Sequence, residues 1–231
     1  MANENQIQEV GYLPFDIEDI KIFAYADYEL KSGKHIQNIE EQAEIYNFIR
    51  RYERDLIRFY SDFYNVNLRF YGSDISNDLF YFIEFDDETQ SILKKSGNTK
   101  KIKKEHALLG IFLLKMDRID KYFKTDYISV EELLSILKTN DDYKDNVNRL
   151  FAKTKSKDTE EIGENTINSW VSDTLTEFEK LGFVRFANKD KQNFEILPSI
   201  KRFELLYSFE IQNIDKLAQE TPELTESQQE E

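Results

Sequence analysis

The sequence predicts a mainly helical α+β protein in which small β hairpins follow groups of helices. Apolar residues recur at spacings of three and four through much of the chain, as on the buried side of a helix. Only 3 Pro and 7 Gly occur in 231 residues, which favours long helices. The stretch TEFEKLGFVRFANKDKQNFEIL, residues 176–197, reads as the end of a helix, a glycine stop and two strands around a turn.

The first part of the chain is predicted to form two helices and a hairpin. A helix over 16–31 ends at Ser32-Gly33, because glycine suits the left-handed turn that follows a helix. Strands over 66–72 and 79–85 flank the polar turn SDISND. Between them and the first helix lies one long helix, 39–64, with an apolar stripe made of Ile45, Phe48, Ile49, Tyr52, Leu56, Phe59 and Phe63.

The second part is predicted to repeat this order. Ser129 and Glu132 form a capping box that starts a helix ending near Leu137. The polar segment 138–163 is expected to be partly mobile. The stripe of the next helix consists of Ile167, Trp170, Val171, Leu175, Phe178 and Leu181. The other elements are a lysine-rich linker over 94–104, a buried helix over 105–117, the helix over 166–181 ended by Gly182, strands over 183–187 and 193–197, and a short helix over 198–208 with Phe203, Leu205 and Leu206.

The repeated order of helices followed by a hairpin indicates tandem winged-helix domains. We expect an N-terminal winged-helix domain over 16–100 and a C-terminal one over 101–208. A flexible N-terminus, 1–15, and an acidic flexible tail, 209–231, are expected to flank them.

The composition argues against an enzyme and against a cofactor. Without Cys there is no disulfide framework and no thiolate chemistry, and the two histidines, His35 and His106, stand far apart in the sequence. No glycine-rich phosphate loop or Gly-x-Ser-x-Gly motif occurs. The acidic runs FDDET (85–89) and DDYKD (141–145) lack the ligand alternation of a calcium loop. We therefore predict no catalytic, metal-binding or cofactor-binding residues. A nuclease using Asp86, Asp87 and Glu88 remains the enzymatic alternative.

The chain is expected to be cytoplasmic. Its first ten residues, MANENQIQEV, carry no apolar signal segment. The longest nearly unbroken apolar run, ALLGIFLLKM, is too short to span a bilayer.

Basic residues near the second hairpin predict a DNA-contacting face. In a winged helix the last helix and its hairpin lie side by side, so their cations share one surface. The formal net charge of −14 predicts that phosphate binding is weak, salt-sensitive and independent of sequence. The alternative is a solvated turn that protects the edge of the sheet. The candidates are Lys153, Lys155, Lys157, Lys180, Arg185, Lys189 and Lys191.

The aromatic residues of the 39–64 helix predict a surface for a partner or a dimer. They occupy more than one face of this helix, whereas one face is enough to cover the hairpin. The alternative is a large but ordinary core. The candidates are Tyr46, Tyr52, Phe59, Tyr60, Phe63 and Tyr64.

Four stretches resemble the MukE/MksE family, the kleisin-associated subunits of bacterial MukBEF and MksBEF condensins. ELKSGKHI (29–36) is similar to the family's Ser-Gly-Arg-His-Ile, with Lys34 in place of arginine, and FYSDFYNVNLRFY (59–71) to its Phe-Tyr-x-x-Tyr-Asn-Val. EKLGFVRF (179–186) resembles Arg-Arg-Leu-Gly-Met-Val-Trp-Phe, and NFEILPSIKRF (193–203) resembles Lys-Phe-Arg-Ile-Thr-Glu-Ser-Val-Phe-Arg-Phe. The order and spacing of these stretches carry the resemblance, which covers about residues 16–231.

The resemblance implies a non-enzymatic subunit made of tandem winged-helix domains. Such a subunit forms a homodimer, binds the kleisin (MukF/MksF-like) and, through it, the SMC ATPase (MukB/MksB-like), and acts at the nucleoid in chromosome condensation and segregation. The family's winged domains also contact DNA in the full complex. Here the helix before the second hairpin carries Asp173, Glu177 and Glu179 where the family is richer in arginine, which argues against strong DNA contact by that helix. Plasmid defence by a related SMC system and an autonomous winged-helix regulator remain the alternatives.

Overall fold

Residues 15–85, 102–154 and 163–219 are described by the computed structural model of the chain. The chain divides into an N-terminal unit, Met1–Lys100, and a C-terminal unit, Lys101–Glu231. Both units are mostly helical and contain a small antiparallel sheet, which confirms the predicted α+β class.

The N-terminal unit completes its sheet after three helices. The described strands form an antiparallel sheet in the order β1-β3-β2, so the last strand lies in the middle. The hairpin β2–β3 was predicted, whereas the short strand β1 was not. The elements are α1 (Ile17–Lys31), β1 (Ile36–Gln37), a 3-10 turn (Glu40–Gln42), α2 (Ala43–Arg51), α3 (Glu53–Tyr64), β2 (Asn67–Tyr71) and β3 (Phe80–Glu84).

The predicted single helix over 39–64 is wrong, because the chain leaves helical geometry at Tyr52. This residue has φ −109° and ψ 23° and separates α2 from α3. No glycine or proline lies there. Instead, the Tyr52 hydroxyl donates to Asp19 Oδ2 at 2.6 Å, and its ring packs edge-on against Phe15 at 4.9 Å. Contacts with α1 and the residues before it therefore coincide with the break.

The C-terminal unit repeats the strand order of the N-terminal unit. Its described strands form an antiparallel sheet in the order β4-β6-β5, again with the last strand in the middle. Its elements are α4 (Lys104–Leu114), a π-helical turn (Lys115–Ile119), β4 (Tyr127–Ser129), α5 (Val130–Thr139), α6 (Asp141–Thr154), α7 (Glu164–Leu181), β5 (Val184–Phe186), β6 (Asn193–Ile196), a 3-10 turn (Pro198–Lys201), α8 (Arg202–Gln212) and α9 (Ile214–Gln219).

Several predicted details of this unit are confirmed. The residues of α4 from His106 to Leu114 are all buried, as expected for a central helix. Ser129 caps α5, since its side chain accepts a hydrogen bond from the Glu132 N–H at 3.3 Å. Gly182 ends α7 with φ 78°, and every residue of the predicted α7 stripe is buried.

Two polar segments contain helical structure that was not predicted. Within 138–163, which was expected to be partly mobile, α6 extends to Thr154, and residues 155–162 lie outside the described part. Helix α6 buries Tyr143, Val147 and Phe151, which follow one another at intervals of four residues along one face. Helical structure also continues past 208 to Gln219, and Ile211 and Ile214 are buried, so the segment predicted as an acidic flexible tail, 209–231, begins with helical residues. Residues 220–231 lie outside the described part.

Candidate interaction surfaces

The predicted DNA-contacting cations of the second hairpin lie beside carboxylates. Arg185 on β5 stands opposite Glu195 on β6, and its Nε and Nη2 donate to Glu195 Oε2 at 3.1 and 2.6 Å. Lys191 in the turn donates to Glu179 Oε2 on α7 at 2.8 Å. This turn also brings the Lys191 ammonium to 5.0 Å from the ring centre of Phe186.

The remaining hairpin lysines differ in their surroundings. Lys180 Nζ lies 3.5 Å from Glu177 Oε2 one turn earlier on α7. Lys189 is exposed and has no ion-pair partner among the residues that the structure describes. The Lys153 side chain and the whole of Lys155 and Lys157 lie outside the described part. Three of the four described cations are thus close to a carboxylate that reduces their attraction for phosphate.

The aromatic candidates of the N-terminal unit do not share one surface. Tyr46 and Tyr60 are buried in the core, with exposed fractions of 5% and 0%, so the interpretation of these two as surface residues is wrong. Tyr52, Phe59 and Tyr64 are partly buried against that core. Only Phe63 of the six is largely exposed, at 53%.

Carboxylates accept hydrogen bonds from the buried tyrosine hydroxyls. The Tyr60 hydroxyl donates to Asp27 Oδ1 at 3.2 Å, and the Tyr46 hydroxyl donates to Asp74 Oδ1 at 2.7 Å. Burial and the Asp74 carboxylate raise the pKa of Tyr46 to about 12. Burial and Asp27 raise the pKa of Tyr60 well above its ordinary value. These tyrosines therefore remain neutral at physiological pH and join core packing to polar contacts.

Two exposed apolar helix faces were not predicted. On α1, Ile20, Tyr25 and Tyr28 are exposed by 52%, 68% and 71%. On α8, the exposed apolar residues are Leu205, Leu206 and Phe209. Both helices carry apolar residues on several faces. The helical spacing of apolar residues in the sequence therefore does not distinguish the buried ones from the exposed ones. Exposed faces of this kind are typical of protein–protein contact sites.

The described side chains offer no site for a metal ion. No three His, Asp or Glu residues form a suitable group in residues 15–85, 102–154 and 163–219. Asp141 and Asp145 of the DDYKD run belong to the first turns of α6, whereas Asp86, Asp87 and Glu88 of FDDET lie outside the described residues. The same ranges contain no helix long and apolar enough to cross a membrane.

Two units with one strand order and exposed apolar helix faces are typical of a subunit that binds other proteins. A family model described as condensin complex protein MksE matches residues 21–206, which include parts of both units. The chain therefore belongs to the MksE family of condensin complex proteins, and the predicted membership of the MukE/MksE group is confirmed. A search of the curated proteins found no match. Family membership assigns the chain to a condensin-type SMC complex and to association with other subunits of that complex.

Proposed function

We propose that the chain is the non-enzymatic, kleisin-binding subunit of a bacterial MukBEF/MksBEF-type condensin. The observation that carries this proposal is the family match over residues 21–206. In this role the chain forms a homodimer in the cytoplasm, binds a MukF/MksF-like kleisin and, through it, a MukB/MksB-like SMC ATPase. It requires no cofactor and acts at the nucleoid in chromosome condensation and segregation.

Each unit is proposed to be a winged-helix domain, over 16–100 and 101–208 with α8 and α9 extending the second. The support is the topology that the two units share. A short first strand pairs with the last strand, and the helices between them precede a hairpin. In this arrangement the hairpin is the wing and α3 or α7 is the helix beside it.

The exposed apolar faces of α1 and α8 are proposed to be covered by the kleisin or by a second copy of the chain. Each face presents at least three large apolar side chains that would lose contact with water on association. Phe63 on α3 is the one member of the predicted aromatic set that is exposed enough to contribute.

The test is co-expression with the kleisin, followed by size-exclusion chromatography with light scattering. We expect the unmodified chain to elute as a dimer bound to the kleisin. Charges at Tyr28→Asp or Leu206→Asp would have to be buried without a partner, so at least one of these variants loses the dimer or the kleisin. The matched control is Ile75→Asp, because Ile75 is fully exposed at the tip of the first hairpin. The proposal would be refuted if the unmodified chain eluted as a monomer and did not co-elute with the kleisin.

DNA contact by the second hairpin is proposed to be weak because its cations are largely paired. Replacing Glu179 and Glu195 by glutamine removes the carboxylates that contact Lys191 and Arg185. We expect the double variant to bind a mixed-sequence duplex between about three-fold and ten-fold more tightly at low salt. Fluorescence anisotropy measures this change.

A double variant in the N-terminal unit separates local from global charge effects. Glu40→Gln with Glu44→Gln changes the net charge equally on exposed residues of that unit. Equal gains from both double variants would contradict a specific hairpin contact. Tight binding that ignores salt would instead indicate an autonomous DNA-binding regulator.

A further inference from the structure

A pocket of about 450 Å³ lies in the C-terminal unit between the start of α4, the end of α6 and the first half of α7. This volume falls within the range of ordinary ligand sites. None of the DNA-contacting or aromatic candidates that the structure describes lines it. Its described lining thus differs from the surfaces discussed above.

Two aromatic rings form an apolar wall of the pocket. The centroids of Phe151 and Trp170 are 4.9 Å apart, with their planes tilted by 56°. The Trp170 indole N–H donates to the Glu105 carbonyl oxygen at 2.7 Å, which holds the indole in place. Phe151 and Trp170 are only 6% and 5% exposed, so this wall offers a small apolar contact to the methylene stem of a long side chain.

The polar part of the pocket favours a positive charge. Glu105 and Asp173 line it, together with Thr166 and Ser169. Among the described lining residues, Lys103 is the one basic side chain that is charged at neutral pH. The charged residues of the described lining thus carry a net negative charge.

The N-termini of two helices at the pocket would repel a cation, and nearby carboxylates offset their partial positive charge. The first turns of α4 and α7 carry the partial positive charge of a helix N-terminus. Glu105 lies in the first turn of α4 and Glu164 in that of α7, where a carboxylate counters the helix dipole. The Asp173 carboxylate, two turns further along α7, then remains available for a ligand.

His106 provides a further polar group at the pocket. Its side chain lines the pocket, although the residue is only 8% exposed. Across the described ranges, no group forms a hydrogen bond with its imidazole. Burial and the charge of Lys103 lower the pKa of His106, which keeps the ring neutral near pH 7 with one nitrogen free to accept a proton donor. The ring nitrogens of His106 are not among the buried unpaired atoms of the described residues, so they keep contact with solvent and a ligand can reach them.

We propose that this pocket binds an arginine side chain of a partner polypeptide. The guanidinium group donates to Asp173 and the neighbouring hydroxyls, and its methylene stem lies beside Phe151 and Trp170. Arginine fits better than lysine, because its planar fork of donors can form two parallel hydrogen bonds with one carboxylate. The inference does not require the kleisin to supply this side chain.

The test uses the fluorescence of Trp170, which is the only tryptophan in the sequence. The full chain is titrated with acetyl-arginine amide, with its uncharged isostere acetyl-citrulline amide, and with putrescine as a free polyamine. We expect a saturable change with the arginine amide and none with the citrulline amide. The exposed residue Asp173 is replaced by asparagine, which should weaken binding by about ten-fold or more through the loss of a charge-assisted hydrogen bond.

The control variant is Asp190→Asn, which removes an exposed carboxylate in the second hairpin outside the pocket. It should leave the arginine titration unchanged. The proposal is overturned if arginine and citrulline amides give equal responses, or if Asp173→Asn binds as tightly as the unmodified chain. If putrescine binds more tightly than the arginine amide, the ligand is a free polyamine and not an arginine side chain of a polypeptide. All of these results are independent of kleisin binding, which the co-elution experiment measures.

Discussion

Gly110 allows α4 and α8 to approach each other closely in the C-terminal unit. A Cβ atom at this position would lie 2.3 Å from Cε1 and Cζ of Phe203, well inside contact distance. The Phe203 ring has little room to move, because it packs against Phe183 at 5.0 Å and Phe178 at 5.5 Å. The absence of a side chain at residue 110 is therefore a packing requirement.

We expect Gly110→Ala to destabilise the C-terminal unit. Overpacking a core costs about 1–3 kcal/mol, which exceeds the gain of about 1 kcal/mol from better helix propensity. Urea denaturation followed by Trp170 fluorescence measures the loss. Adding Phe203→Leu should recover part of the stability lost to the first substitution. Equal or greater stability of Gly110→Ala alone would contradict the proposed contact.

Residues that begin or end a helix through their own local geometry were predicted correctly. Gly33, Ser129 and Gly182 end or begin helices by their own backbone or side-chain geometry, which the sequence states directly. Tyr46 and Tyr60 were misassigned because they pack in the core, where Asp74 and Asp27, which are distant in sequence, accept from their hydroxyls. A tyrosine is compatible with a surface or with a core until the acceptor of its hydroxyl proton is known.

At the scale of elements, the boundary between α7 and β5 depends on a left-handed glycine. The Gly182 N–H donates to Glu179 O at 3.2 Å, and the Phe183 N–H donates to Phe178 O at 2.9 Å. These two bonds complete the last turn of α7 and direct the chain into β5.

We expect Gly182→Ala to reduce the stability of the C-terminal unit by about 1–2 kcal/mol, because an L side chain is strained at this φ. Gly182→Asn should cost less, since asparagine tolerates the left-handed region. Thermal or urea denaturation of the two variants provides the comparison. Equal losses would show that the backbone angle is not the cause.

The elements missed or merged by sequence reasoning share a physical reason. The break between α2 and α3 has no glycine or proline signal and coincides with contacts of Tyr52 with Asp19 and Phe15. Most residues of α6 are polar or charged, and its buried apolar face is narrow. That face consists of Tyr143, Val147 and Phe151. Strands β1 and β4, of two and three residues, are too short to show any alternation. Tertiary contacts therefore decide these parts of the fold.

At the scale of the whole molecule, alkaline pH is expected to weaken the N-terminal unit. The pKa of Tyr46 is raised from about 10 to about 12, so the folded state holds this proton more tightly than the unfolded state. The resulting stability is fully present below pH 10 and is lost as pH rises towards 12. Tyr60 acts in the same direction.

The measurement is urea denaturation followed by far-UV circular dichroism between pH 8 and pH 11. Tyr46→Phe should lose stability less steeply with pH than the unmodified chain, because one coupled proton has been removed. The matched control is Tyr25→Phe, whose hydroxyl lies on a residue exposed by 68%. Identical slopes for Tyr46→Phe and the unmodified chain would contradict the coupling.

The strand order of each unit has a consequence for synthesis on the ribosome. In the N-terminal unit β3 occupies the centre and pairs on one side with Ile36 of β1 and on the other with the whole of β2. A nascent polypeptide that ends before residue 80 thus has both outer strands but lacks the central strand with which they pair. Closure of the sheet must wait for the last strand to emerge, and a fragment cut just ahead of it would expose the aromatic core to chaperones or proteases.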